Sequence, residues 1–230
     1  MQLDCQNLNF TYPGSKTVVI KDLSFSMKHP GFNAVFGPSG VGKTSLAKIL
    51  AGMVTAVDGD LTFKQIDTIL YSYNRERLPG WSSTGKHLDR VIQPEKQALK
   101  EQLVEIFELA DVLDSRFSKL SMGQQNRINL VRYLLQDFDL LIMDESLANV
   151  DEKLREKILL AIKTLFRDKM FLYISHNLME VSTFCKQILV FAKASEKKSC
   201  CMVTGQNRMQ NSHLDRKKLD ATLLEIMNAF

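Results

Sequence analysis

The chain has little cysteine and no long hydrophobic run, and both shortages narrow what it can be. Its four cysteines in 230 residues, Cys5, Cys185, Cys200 and Cys201, show neither a CxxC spacing nor the framework of a disulfide-stapled secreted domain. They read as small buried hydrophobes, with a redox or metal role for the adjacent Cys200 and Cys201 as the lesser alternative. The longest apolar stretches, FDLLIM at 138–143 and QILVFA at 187–192, are strand-sized, whereas a bilayer-spanning helix needs about 20 residues. No segment is therefore expected to cross a membrane unaided. The opening MQLDCQNLNFTYPG lacks the basic and then apolar regions of a secretory signal, so a cytoplasmic location is expected. A stripe of basic residues interleaved with aromatics is also missing, and the net charge is a mild +4, so nucleic acid is not an expected partner. Lys197-Lys198 and Arg216-Lys217-Lys218 read as solvated faces. Repeats and low-complexity tracts are absent, and 45% hydrophobic with 24% charged residues is ordinary for a globular protein.

The pattern that is present alternates strands and helices. LDCQNLNFTY reads as an edge strand and VVIKDLSFSM as a second, antiparallel to it, with Pro13-Gly14 turning between them. FNAVF is a strand that runs into a Gly-rich loop and then the helical spacing of TSLAKILAGM. A Pro- and Gly-bearing loop, LPGWSSTG, precedes a helical pattern from about Leu88 to Asp114. Then come helix QQNRINLVRYLLQ, strand DLLIMD, helix DEKLREKILLAIKTLF, strand MFLYIS, helix NLMEVSTFC and strand QILVFA. This order predicts an α/β fold with a mostly parallel sheet, an N-terminal antiparallel β region and a helical insertion. The expected division is a core at 1–74 and 120–195, a helical subdomain at 75–119 and a tail at 196–230. That tail reads as polar and irregular to His213, then a short helix, DATLLEIMNA.

Residues 37–45, GPSGVGKTS, fit G-x-x-x-x-G-K-[ST] between a strand and a helix, the context this phosphate-binding loop requires. Four fixed positions at average residue usage recur by accident in about one such chain in a hundred. Glycines let backbone N–H groups approach phosphate oxygens, the helix start aims its positive dipole end at them, and Lys43 adds a full charge. The candidate nucleotide cradle is thus Gly37, Pro38, Ser39, Gly40, Val41, Gly42, Lys43, Thr44 and Ser45, with the Thr44 hydroxyl placed to hold Mg2+. ATP and Mg2+ are the expected cofactors. Such a site also needs a carboxylate for the metal and a group that activates the attacking water. DLLIMDES supplies both, because its buried strand delivers Asp144 and Glu145 at the C-terminal end, where ligands sit in open parallel sheets. Alone, an acidic pair after a strand is more often a solvated strand end; beside the phosphate loop, Asp144 is the expected metal residue and Glu145 the general base.

Residues 120–127, LSMGQQNR, resemble the LSGGQ signature of ABC transporter ATP-binding subunits, and they lie between the phosphate loop and the acidic strand in that family's order. Tyr12 in FTYPG resembles the aromatic that stacks on adenine, His176 in ISH the switch histidine, and Asp151 the D-loop aspartate. The resemblance runs from about residue 3 to 191. It implies ATP hydrolysis assisted by Lys43, Glu145 and His176, in a head-to-tail dimer that sandwiches ATP between the phosphate loop of one chain and the signature of another. Ser121 and the Gly123 amide would reach the γ-phosphate from across that interface, and Gln124 and Asp151 complete the expected nucleotide-contacting set. Membrane permease subunits and a second ATPase chain, an identical one by preference, are the implied partners, on the cytoplasmic face of the inner membrane.

Three places depart from the family pattern. Met122 stands at the first signature glycine, and Ala148, Asn149, Val150 and Asp151 replace the usual SALD. The Q-loop glutamine is missing: aligned on LPGW, which resembles the LPW of nitrate, sulfonate and taurine importer ATPases, Asn74 or Tyr73 takes its place, and Asn74 is the candidate third metal residue. These changes predict slow rather than absent hydrolysis and leave a second reading, an ATP-binding regulatory or assembly protein. A soluble relative acting on DNA or ribosomes is disfavoured for want of a basic stripe.

Overall fold

The computed structural model describes residues 1–55, 57–191 and 200–229. Lys197-Lys198, the first residues of the expected tail and the last of the expected strand QILVFA lie outside them. Two sheets form. In β1 (Gln2–Thr11) and β2 (Val18–Lys28) the apolar residues Leu3, Cys5, Leu8, Phe10, Ile20, Leu23, Phe25 and Met27 are buried on one face. Strict alternation fails between Cys5 and Leu8, where the register shifts and Asn7 takes a φ of 50°. This bulge returns Leu8 to the core side.

The strands pair antiparallel as expected, but β1 is central rather than an edge, because β4 (Asp58–Lys64) pairs along its other side in the order β2-β1-β4. The sequence reading assigns no strand there: DGDLTFK begins with residues that disfavour strands and gains its place by packing on β1.

The larger sheet has six strands in the order β5-β6-β7-β3-β8-β9. These are β3 (Gly31–Phe36), β5 (Ile69–Tyr73), β6 (Leu140–Asp144), β7 (Met170–Ile174), β8 (Gln187–Phe191) and β9 (Cys200–Thr204). All neighbours run parallel except β8 and β9. Every residue of β6 and β7 is buried, as expected of parallel strands covered on both faces. Successive side chains feed two cores. Phe32 and Ala34 face the helices, whereas Val35 faces α1 (Lys43–Leu50) and the smaller sheet. The strand β9 corrects the expectation of an irregular tail, since CCMVT is a short apolar run hidden between polar flanks and completes the sheet edge beside β8.

The insertion carries α2 (Thr84–Asp89), α3 (Gln97–Ile106) and short 3-10 turns at 94–96, 110–112 and 117–119. It packs Leu103, Phe107, Leu109 and Phe117 against α4 (Met122–Leu134). The remaining helices are α5 (Glu152–Leu165), α6 (Leu178–Phe184) and α7 (Arg216–Met227). The last begins before the expected DATLLEIMNA because the Asp215 side chain accepts the Lys218 N–H at 3.2 Å and caps it.

Candidate functional site

The phosphate loop joins β3 to α1. At its end Gly42 takes a φ of 111°, and a Cβ there would stand 3.1 Å from both the Phe191 ring and Val19, so only glycine fits. No side-chain cap closes the start of α1 and no acidic residue stands in its first turn, which leaves the N–H groups of that turn for an anion. Lys43 folds back over the loop, its Nζ donating to the carbonyls of Gly37 at 2.7 Å and Pro38 at 2.8 Å. Burial pushes the Lys43 pKa down, and the nearby Glu145 and Asp144 carboxylates oppose that shift.

Asp144 closes β6 and is buried. Burial raises its pKa, while hydrogen bonds from Thr44 and Tyr71 hold it down. The Tyr71 hydroxyl donates to Asp144 Oδ2 at 2.9 Å. Tyr71 is a residue the sequence reading missed; lateral pairing of β5 with β6, Tyr73 opposite Asp144 and Tyr71 opposite Ile142, brings it there. Burial and the Asp144 charge push the Tyr71 pKa up, so it remains a hydrogen-bond donor. Glu145 leaves the strand with a φ of 53°, a left-handed conformation that costs a non-glycine residue about 1 kcal/mol and turns the chain away from the sheet. Its N–H donates to the Ile174 carbonyl at 3.1 Å. From the end of the neighbouring β7, His176 Nδ1 stands 3.5 Å from Glu145 Oε1.

These groups surround a cavity of about 410 Å³ lined by Tyr12, Val19, Ser39, Gly40, Gly42, Lys43, Thr44, Ser45, Asp144, Glu145 and His176. Gly37 and Val41 are buried and Pro38 is exposed beside it. At the cavity rim Tyr12 is exposed, shares a 3.0 Å hydrogen bond with Ser45 Oγ and meets Phe10 edge to face, leaving ring surface open. A second cavity of about 510 Å³ shares Thr44, Asp144 and Glu145 and adds Lys48, Met53, Tyr71, Tyr73, Asn74 and Arg75. Asn74 follows β5 directly; its N–H donates to the Asp144 carbonyl at 3.0 Å and its Oδ1 accepts from Asn126 Nδ2 at 3.2 Å. Both candidates for the missing glutamine, Tyr73 and Asn74, therefore reach this cavity, and the Asn74 oxygen is engaged by α4.

Thr44, Asp144 and Asn74 offer oxygen donors, the kind Mg2+ takes. Among the described residues no group of three or more His, Cys, Asp or Glu could hold a metal by itself. The donor set thus fits an ion that completes its shell with phosphate oxygens and water, beside a loop that takes phosphate.

Ser121, Gly123, Gln124 and Asp151 do not line either cavity. Ser121 Oγ accepts the Gln124 N–H at 3.3 Å and Gln124 Oε1 accepts the Ser121 N–H at 2.9 Å, a reciprocal cap on α4. A Cβ on Gly123 would lie 2.3 Å from the Asn149 carbonyl oxygen, so this glycine lets α4 press against the 148–150 loop. Asp151 caps α5, its Oδ1 accepting the Leu154 N–H at 2.9 Å. Met122 is exposed at the head of α4.

A phosphate loop between β3 and α1, with an Asp–Glu pair ending a parallel strand two places along the sheet, defines a P-loop nucleotide-binding protein. Residues 20–148 match the family described as ABC transporter. The chain belongs to this family and carries its nucleotide-binding ATPase domain. It is 30% identical to the sn-glycerol-3-phosphate import ATP-binding protein UgpC of Bordetella avium (strain 197N), over 82% of this chain and 56% of that protein. It is 27% identical to the spermidine/putrescine import ATP-binding protein PotA of Clostridium novyi (strain NT), over 76% of this chain and 55% of that protein. It is also 30% identical to the xylose/arabinose import ATP-binding protein XacJ of Haloferax volcanii, over 76% and 50%. The chain spans about half the length of the curated relatives it matches. A bacterial Atm1-family ABC exporter with ATP bound shares the fold, at a TM-score of 0.75 and 20% identity, covering 99% of this chain and 41% of that one. Among the described residues no helix is long and apolar enough to cross a membrane.

Proposed function

We propose that this chain binds and hydrolyses ATP to energise a membrane transporter, an importer, through ATP-driven closure of a dimer. One observation carries the reading: Lys43, Thr44, Asp144, Glu145 and His176 converge on one cavity, while Ser121, Gly123, Gln124 and Asp151 are preorganised outside it. A nucleotide seated on the first set leaves its outer face for the second set of another chain. The import names of the relatives support the direction.

Bound Mg2+ would neutralise phosphate charge and fix the reacting geometry. Thr44 and Asp144 would hold it, with Asn74 as the third candidate. Lys43 swings from its two loop carbonyls to the phosphates, and the N–H groups at the start of α1 receive them. Glu145 takes the proton of the attacking water and His176 orients that water against the γ-phosphate. Tyr12 stacks on the adenine. The core comprises 1–74 and 120–195, the helical subdomain 75–119 and the tail 196–230. Permease subunits at the cytoplasmic face of the inner membrane would receive the motion; nucleic acid is not a partner.

A second reading is an ATP-dependent clamp with slow turnover and no transport role. The exposed Met122 and the engagement of Asn74 by Asn126 favour it. Solution mass of the Glu145→Gln variant with and without Mg-ATP tests both. Mass doubling with ATP is expected; a chain that binds ATP and stays monomeric overturns self-pairing. ATPase activity stimulated by a co-purifying permease then separates transporter from clamp.

A further inference from the structure

His176 has a side chain that is 77% exposed, yet Ser175 before it is bonded to a buried carboxylate, Glu180, and Asn177 after it is bonded in turn to Ser175. Ser175 Oγ donates to Glu180 Oε2 at 3.0 Å and accepts the Asn177 N–H at 3.1 Å. Asn177 Oδ1 accepts the Glu180 N–H at 3.1 Å, which closes a ring of contacts around residues 175–180. Tyr173, on β7, donates to the same Oε2 at 2.8 Å. The other oxygen, Oε1, forms an ion pair with Arg155 of α5. Arg155 lies one turn beyond Asp151, the N-cap of that helix, and its N–H donates to the Asp151 carbonyl at 2.9 Å.

We infer that Glu180 is a positioning residue for ATP hydrolysis: it fixes the 175–177 backbone that carries His176, and through Arg155 it ties that backbone to the loop ending at Asp151. The inference rests on the reading that His176 acts on the attacking water. A carboxylate is the group these partners need. Its two oxygens accept two hydroxyl donors on one side and face a guanidinium on the other. An amide can do one or the other: with its oxygen towards Tyr173 and Ser175 it turns an NH2 on Arg155, and flipped, it turns the NH2 on two hydroxyl donors. Burial of a charge is costly unless it is paired, and here every partner belongs either to the segment around His176 or to the helix headed by Asp151. Movement of the Asp151 loop, such as the arrival of a second chain would cause, is thereby transmitted to His176 through a single ion pair.

The test is steady-state ATP hydrolysis by the purified full chain, with ATP affinity read from a fluorescent nucleotide analogue and thermal unfolding followed in parallel. Glu180→Gln is expected to lower kcat about 10- to 100-fold, the loss that a misplacement of about 1 Å brings. KM and nucleotide affinity stay within about threefold, because Lys43 and the phosphate loop are untouched. Arg155→Lys, which keeps the charge, is expected to recover part of the kcat that Arg155→Ala loses. Should Glu180→Gln destabilise the chain, Ser175→Ala and Tyr173→Phe carry the same test, since each removes one donor to the same oxygen. Positioning predicts a larger kcat loss for Ser175→Ala, which also frees the Asn177 N–H, than for Tyr173→Phe. A kcat within twofold of the parent in Glu180→Gln, or kcat, affinity and melting temperature falling together in all three variants, overturns the inference. His176→Ala separates the two claims. If it abolishes turnover while Glu180→Gln does not, the positioning role alone fails; if it leaves turnover intact, or the parent chain does not hydrolyse ATP, the reading of His176 fails and the inference with it.

Discussion

Around residues 37–45 the polar groups open onto a cavity: the start of α1 is uncapped, Lys43 rests on two loop carbonyls, and Thr44 and Asp144 face the same space. At the head of α4 the polar groups are turned on one another. Ser121 and Gln124 complete a reciprocal cap, and the Asp151 side chain caps α5 with a single acceptor. The first region is a helix start without a side-chain cap; the second is a helix start that is already satisfied and can meet a ligand only with the outer surface of its cap. A phosphate loop can therefore be damaged with little effect on folding, whereas damage to the second region strikes stability before chemistry.

The largest separation is expected between Lys43→Ala and Gly123→Ala. Lys43→Ala removes a buried cation that burial already disfavours, so melting should change little. Nucleotide affinity should fall on the order of 100-fold, the roughly 3 kcal/mol that loss of a charged donor to phosphate brings. Calorimetric titration with Mg-ATP checks the affinity and thermal unfolding the stability. Gly123→Ala should do the reverse. Its new Cβ meets a backbone carbonyl at 2.3 Å that has no free side-chain motion to yield, so destabilisation by about 1–3 kcal/mol is expected, although alanine is the better helix former. ATP affinity of the isolated chain should be unchanged, because Gly123 does not line the cavities. Urea unfolding and the same titration measure it, and a loss of affinity in Gly123→Ala would erase the distinction between the two regions.

What the sequence makes legible follows the same division. The phosphate loop is readable because its spacing encodes a backbone shape: Gly42 is glycine for its φ of 111°, a local condition that holds before any long-range contact is known, and the closeness of Phe191 only adds to it. The strand carrying Asp144 and Glu145 is readable because a run buried on both faces is continuous in sequence. Placement of β1 is less so, since its alternation says that one face is buried but not how many neighbours it has; β4, with a weak pattern of its own, supplied the second. The Cys200–Thr204 strand was obscured for the same reason, a short run that becomes a strand by pairing with β8. Within the site, the contact of Tyr71 with Asp144 depends on the register of β5 against β6, which no local pattern carries. Ser121 and Gln124 illustrate a different shortfall. Their spacing is that of a capping box, visible in the sequence, yet the resemblance drew attention to a role across an interface and away from the cap they form in their own chain.

The smallest expected effect sharpens the comparison from inside the cavity. Tyr71 is half-buried, donates to Asp144 Oδ2 at 2.9 Å and stacks on Tyr73 at 5.5 Å, so its ring is held whether or not its hydroxyl is present. Tyr71→Phe should therefore keep the packing and remove a single donor, costing about 1 kcal/mol at Asp144. Thr44 continues to bond the carboxylate, which limits the loss. If Asp144 holds Mg2+, the freed oxygen can rotate, and the Mg2+ concentration that half-saturates ATP hydrolysis should rise about tenfold, the lower end of what loss of a partner behind a metal ligand brings. The maximal rate at saturating Mg2+ should stay close to that of the parent. A fall in maximal rate with unchanged Mg2+ dependence would instead mean that Tyr71 serves the reacting phosphate or water directly, and that the open region holds a reactive group the sequence reading did not contain.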